Sequence, residues 1–173
     1  PGKTRKPQSD FDRTGAAANS VYGATDEAYI ADIYYAASAQ IVAKAAEVLG
    51  LEETRQEYQK IADRQWQVVK EEYFTATGRC AVKTQTGLIL ALKYHLSENE
   101  ELTKQMLQKL LRDNKNKLNT GFVGTPLLCN VLTDHGMTDA AYRLLLNKEY
   151  PGWLHEVKLG ATTVTTSTHC PSA

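Results

Sequence analysis

Thr84–Leu96, TQTGLILALKYHL, is the stretch whose reading decides the fold. Leu88, Ile89, Leu90, Ala91 and Leu92 run without a polar break, so no single face of a helix can hold them all. A membrane span needs roughly 18 to 20 apolar residues, and this run is much shorter. It therefore predicts a helix buried on most sides, with packing partners on more than one flank.

The flanking segments supply those partners. Upstream, Tyr29, Ile30, Ile33, Tyr34, Ala37, Ile41, Ala45, Val48 and Leu49 recur at helical spacing. They predict one long helix, capped by Thr25, with Asp26 and Glu27 at the positive end of its dipole and Gly50 as its left-handed stop. A second helix, about Glu52 to Phe74, follows almost at once, and so short a link makes an antiparallel hairpin. Cys80 to Val82 reads as briefly extended. Downstream, Ser97 with Glu100 reads as a capping box opening a charged helix to about Arg112. The polar segment Asp113 to Gly124 reads as a loop of about a dozen residues, long for a compact domain. Thr125 as N-cap and Pro126 at the first helical position then predict a helix through Leu132, stopped by Gly136, and Thr138 with Asp139 opens another to about Asn147. Only HEVKLGATTVT, near the C-terminus, alternates, and only briefly. The class is all-α: three antiparallel hairpins, each with a more apolar and a more charged member, forming about half of an (α/α)6 toroid.

Composition narrows the function. Twenty basic and twenty acidic residues cancel, so no overall field draws the chain to nucleic acid or an anionic membrane. Neutral partners such as sugars, or other proteins, are expected. Three cysteines, Cys80, Cys129 and Cys170, are odd in number and widely spaced, a pattern that fits a reducing, cytoplasmic setting and no zinc motif. The four histidines, His95, His135, His155 and His169, show no ligand spacing, so neither metal nor cofactor is expected. Residues 1–23 read as an irregular arm, 24–164 as the helical unit and 165–173 as an irregular tail.

Four segments, TDEAYIADIYY, TQTGLILALKY, TGFVGTPLLCNVL and YPGWLHEVKLGATT, fall in an order that closely resembles the catalytic domain of bacterial α-L-rhamnosidases. That resemblance covers about Gly23 to Val164 and implies an (α/α)6 barrel that releases terminal L-rhamnose from plant glycosides and polysaccharides by inversion. Inversion needs two carboxyl groups roughly 6.5–9.5 Å apart, one protonating the leaving oxygen and one activating water. The family acid lies before the first matching helix. The family base is a glutamate in a Trp-Glu-Arg-Trp motif that follows the Gly-Ala-Thr-Thr run. Here Gly160, Ala161, Thr162 and Thr163 are in place, but Thr165 stands where Trp is expected and Thr166 where Glu is expected. No catalytic residue is therefore assigned, and the chain is expected to be inactive alone.

The candidate substrate-binding residues are Trp153, Glu156, Thr120, Phe122 and His155. Trp153 reads either as a ring that stacks on a sugar face or as a plug for a core gap, because an amphipathic aromatic suits both. Thr120 and Phe122 read as a pocket rim or as the surroundings of a capping glycine, and Glu156 as a holder of a sugar hydroxyl. Asp26 and Glu27 read as a carboxylate pair or as first-turn acids serving the helix dipole. A part-toroid also exposes the apolar flanks of its end hairpins, from which a homodimer is expected.

Overall fold

In the computed structural model, residues 24–162 are described. They form seven helices: α1 (Glu27–Val48), α2 (Glu52–Tyr73), α3 (Gln85–Lys93), α4 (Glu100–Asp113), α5 (Gly121–Asp134), α6 (Thr138–Leu145) and α7 (Trp153–Lys158). No strand occurs among the described residues beyond an isolated bridge that joins Phe74 to Cys80, the first residue of the segment read as extended. The arm and the tail, including His169, Cys170, Thr165 and Thr166, lie outside the described residues.

Helices α1 with α2, α3 with α4, and α5 with α6 pair as hairpins, and α3 also packs on α5 and touches α1. Burial separates inner from outer members. Eight residues of α1, eight of α3 and six of α5 are buried, against three, three and two in α2, α4 and α6. The all-round apolarity of α3 has a direct cause: it serves two cores. Leu88, Ile89 and Leu92 enter a cluster with Leu107, Leu111, Leu128, Leu132 and Leu144, while Leu90 enters one with Tyr29, Ile33, Val69 and Tyr73. The α1–α2 hairpin is closed by small residues, with Ala36, Ala39, Ala43 and Ala62 all buried.

Turn chemistry sets the hairpins. At the end of α1 the Gly50 N–H bonds Glu47 O and the Leu51 N–H bonds Ala46 O, with Gly50 at φ +70°. This is the Schellman arrangement, and it needs the left-handed backbone that glycine adopts without penalty. The same pair of bonds closes α3 around His95 and α5 around Gly136.

Three starts differ from expectation. Asp26, not Thr25, caps α1, accepting from Ala28 N and Tyr29 N at 2.8 and 3.2 Å, which leaves Thr25 to bond Thr84. Asn99, not Ser97, caps α4, because the Ser97 hydroxyl donates to the buried Gly78 carbonyl at 2.6 Å. Helix α5 begins at Gly121 and carries Pro126 inside it, so the loop is shorter than expected. Proline lacks the N–H that would bond the Phe122 carbonyl. One residue earlier the Thr125 hydroxyl donates back to Gly121 O. Finally, the first four residues of the segment that alternates in sequence, His155–Lys158, are helical, within α7.

Candidate functional site

The inner helices bring their N-terminal ends together, and polar side chains lace that end. Between α1 and α3, the Thr25 and Thr84 hydroxyls meet at 2.7 Å, and the Tyr29 phenol donates to Gly87 O at 3.0 Å. Gln85, 1 % exposed, clamps the segment before α5: its amide N–H donates to Lys117 O and its carbonyl accepts from Asn119 N, both at 2.9 Å. Beside it, the Thr86 hydroxyl donates to Thr120 O. Because Thr125 donates to Gly121 O, the Thr120 hydroxyl must be the donor in its 2.6 Å contact with Thr125. The start of α7 is tied in as well. Leu118 N donates to Pro151 O at 3.3 Å, the Asn147 amide donates to Asn116 O at 2.7 Å, and Lys117 pairs with Glu149 at 3.4 Å.

Every hydroxyl and amide in this lattice has a partner, so its role is to fix backbone positions. Close packing reinforces it. A Cβ on Gly124 would lie 2.9 Å from the Thr120 Cβ and strike the Thr86 hydroxyl, so only glycine lets α5 approach α3 here. Burial pushes the Tyr29 phenol far above its ordinary pKa, which keeps it a hydrogen-bond donor.

The sequence-predicted residues fall into two groups. Trp153, His155 and Glu156 share α7. Trp153 is half-buried against the larger core cluster, and the His155 ring meets Tyr150 edge-on at 5.7 Å between centroids. Glu156 is partly buried. In the second group, Thr120 is fully buried inside the lattice, while Phe122, in the first turn of α5, is 61 % exposed. The Leu118–Pro151 bond links the two groups through backbone. Asp26 is the N-cap of α1 rather than a first-turn acid, while Glu27 lies in the first turn as expected. At the outer margin of this end, a shallow groove of about 630 Å³ is lined by Lys115, Asn116, Arg143, Asn147, Lys148 and others, but by none of the five candidates.

Sequence reasoning missed Gln85 and Thr86. The signal was present, since two polar residues opening an otherwise apolar helix must find buried partners.

A double layer of antiparallel hairpins, with its inner N-termini gathered into a hydrogen-bonded rim, defines an α/α-toroid domain. The family model for the bacterial alpha-L-rhamnosidase 6 hairpin glycosidase domain matches residues 5–167, and the chain belongs to that family. It is 37% identical over 145 residues to an alpha-L-rhamnosidase of Formosa agariphila, covering 82% of this chain and 16% of the relative. Among solved structures, it is similar to the native alpha-L-rhamnosidase of Aspergillus terreus, with TM-score 0.78, 29% identity, and 83% of this chain and 17% of that one covered. It is also similar to the Streptomyces avermitilis alpha-L-rhamnosidase complexed with L-rhamnose, with TM-score 0.74, 32% identity, and 81% and 14% covered. The chain thus spans about one sixth of the length of these relatives.

Proposed function

We propose that this chain forms one arc of the sugar-binding wall of an α-L-rhamnosidase-type glycoside hydrolase, acting on terminal L-rhamnose by inversion, and that it does not catalyse alone. The observation that carries the reading is the likeness to the Streptomyces avermitilis enzyme complexed with L-rhamnose over 81% of this chain. The rim supports it physically. A lattice with its own polar groups satisfied holds α5 and α7 rigidly, and rigid elements position contact residues best. Phe122 and Trp153 offer apolar ring surface for the C–H face of a sugar, and Glu156 and His155 offer polar atoms for its hydroxyls. Inactivity rests on Thr165 and Thr166 standing at the expected Trp and Glu positions, since a threonine hydroxyl is no general base near neutral pH.

Two finer readings accompany this one. The free thiols Cys80 and Cys129 support a cytoplasmic setting, and no helix among the described residues is long and apolar enough to cross a membrane. Exposed Tyr35, Ile41, Val48 and Leu49 on the flank and end of α1 support self-association into a dimer.

Two assays test the function. Release of nitrophenol from a nitrophenyl α-L-rhamnoside by the purified chain is expected to stay at the uncatalysed rate, and turnover at an ordinary enzymatic rate would overturn the inactivity. L-Rhamnose titrated into isotope-labelled chain is expected to shift backbone resonances in the first turns of α5 and α7, with the shifts lost in Trp153→Ala. Shifts confined to other helices would sink the assignment of the wall.

A further inference from the structure

At the opposite end of the inner helices, three side chains far apart in sequence come together: His95, Glu100 and His135. One ring nitrogen from each histidine and a carboxylate oxygen all lie within 4.8 Å of one another. His95 Nδ1 is 2.6 Å from Glu100 Oε1, and His135 Nε2 is 3.9 Å from Glu100 Oε2. The two rings are 6.0 Å apart.

The tautomer of His135 is fixed by its surroundings. Its Nδ1 sits 2.9 Å from the Val131 carbonyl, which can only accept, so Nδ1 carries the proton. In the neutral ring, Nε2 then presents a bare lone pair toward a carboxylate oxygen that also has only lone pairs to offer. Two electron-rich atoms facing each other at 3.9 Å leave a gap that a cation bridges, either a proton on Nε2 or a metal ion. A backbone carbonyl holding the far nitrogen of a histidine is also the outer-shell support that metal-binding histidines use.

The helices favour a cation at the same place. His95 stands immediately past the C-terminal end of α3 and His135 at that of α5, so two negative dipole ends face the cluster. Glu100, in the first turn of α4, reaches both rings, with one carboxylate oxygen toward each. The His95 backbone is left-handed, at φ +52°, a region that histidine tolerates better than most residues.

We propose that His95, Glu100 and His135 form a binding site for a divalent transition-metal ion of the zinc type, which staples the α3–α4 turn to the end of α5. Two imidazoles and a carboxylate are a borderline nitrogen–oxygen donor set that suits zinc, nickel or copper better than calcium or magnesium. Zinc–nitrogen bonds of about 2.0–2.1 Å place tetrahedral donors about 3.3 Å apart. To reach that spacing the His95 ring, whose side chain is 71% exposed, draws back from Glu100 and swings toward His135, and the Glu100 carboxylate, 38% exposed, closes the gap to His135, which at 12% is held. Water takes the fourth position on the open side. Sequence spacing gave no hint of the site, because positions 95, 100 and 135 become neighbours only when α3, α4 and α5 pack.

Isothermal titration of the full chain with zinc chloride near neutral pH tests the site, with circular dichroism reporting the fold of each variant. The expected result is one saturable site, weakened on the order of tenfold or more in Glu100→Gln and in His95→Asn, which keeps a residue tolerant of left-handed backbone. Zinc is also expected to raise the thermal midpoint of the native chain and not that of the variants. His155→Gln serves as the control and is expected to bind like the native chain. Absence of saturable binding, or binding unchanged in both Glu100→Gln and His95→Asn, would overturn the proposal. Neither readout involves a sugar, so its failure is separate from that of the rhamnosidase reading.

Discussion

Tyr29 shows how much one side chain carries here. It is fully buried, packs edge-on against Tyr73 at 4.8 Å between ring centroids, and ties α1 to α3 through Gly87 O. Burial raises the phenol pKa of both Tyr29 and Tyr73, and Tyr73 is raised further by its hydrogen bond to Asp32. A group whose folded pKa is raised contributes stability that is complete below its unfolded value, near 10 for tyrosine, and lost as pH climbs above it. The urea midpoint is therefore expected to hold up to about pH 10 and to fall beyond it. In Tyr29→Phe that fall is expected to be shallower, since one of the raised phenols is gone. At neutral pH the variant is expected to be less stable by about 0.5–1.5 kcal/mol, because the Gly87 carbonyl loses the phenol donor and keeps only its bond within α3. An unaltered alkaline slope would show that Tyr29 does not govern it. Tyr29 was legible as a core position from its helical spacing. Its partner was not, because Gly87 lies 58 residues away and hydrogen bonds across helices leave no periodic trace.

Among the elements, the α3–α5 contact governs the candidate site. Helix α3 was readable from its apolar run and α1 from its periodicity, because burial on known faces dictates both patterns. The start of α5 was misread for a physical reason. Thr125-Pro126 has the chemistry of an N-terminus, but the Gln85 clamp on residues 117–119 and the Thr86–Thr120 bond hold the chain so that the helix begins earlier, at Gly121. Tertiary contacts thus outweighed a local signal of about 1 kcal/mol. The close approach makes a sharp prediction. Gly124→Ala is expected to destabilise the chain by about 1–3 kcal/mol, since its methyl would meet the Thr86 hydroxyl and the Thr120 Cβ. Alanine normally strengthens a helix, so unchanged or increased stability in a urea titration would mean that α5 can shift away from α3 at no cost.

For the molecule as a whole, the inner layer is well buried but its flank is not. Ile41, Val48 and Leu49 are 66%, 87% and 71% exposed, and at the other end Leu146 and Leu159 are also open. Light scattering at high protein concentration is expected to give a dimer mass, and Ile41→Glu with Leu49→Glu is expected to return the monomer. A monomer at all concentrations in the native chain would refute association. The free cysteines take no part in this expectation: Cys80 is buried and burial holds its thiol pKa up, so a covalent dimer through it is not expected.

The sequence by itself determined the all-α class, the pairing of helices into hairpins, and the family motifs in their order, because short links, helical periodicity and capping chemistry act over a few residues. It also marked α3 as the helix with partners on several sides. Only the tertiary structure decided which polar residues lace the inner N-termini, where α5 begins, and that His95, Glu100 and His135 meet at the opposite end. Those outcomes depend on distances between residues tens of positions apart, which packing fixes and sequence spacing does not encode.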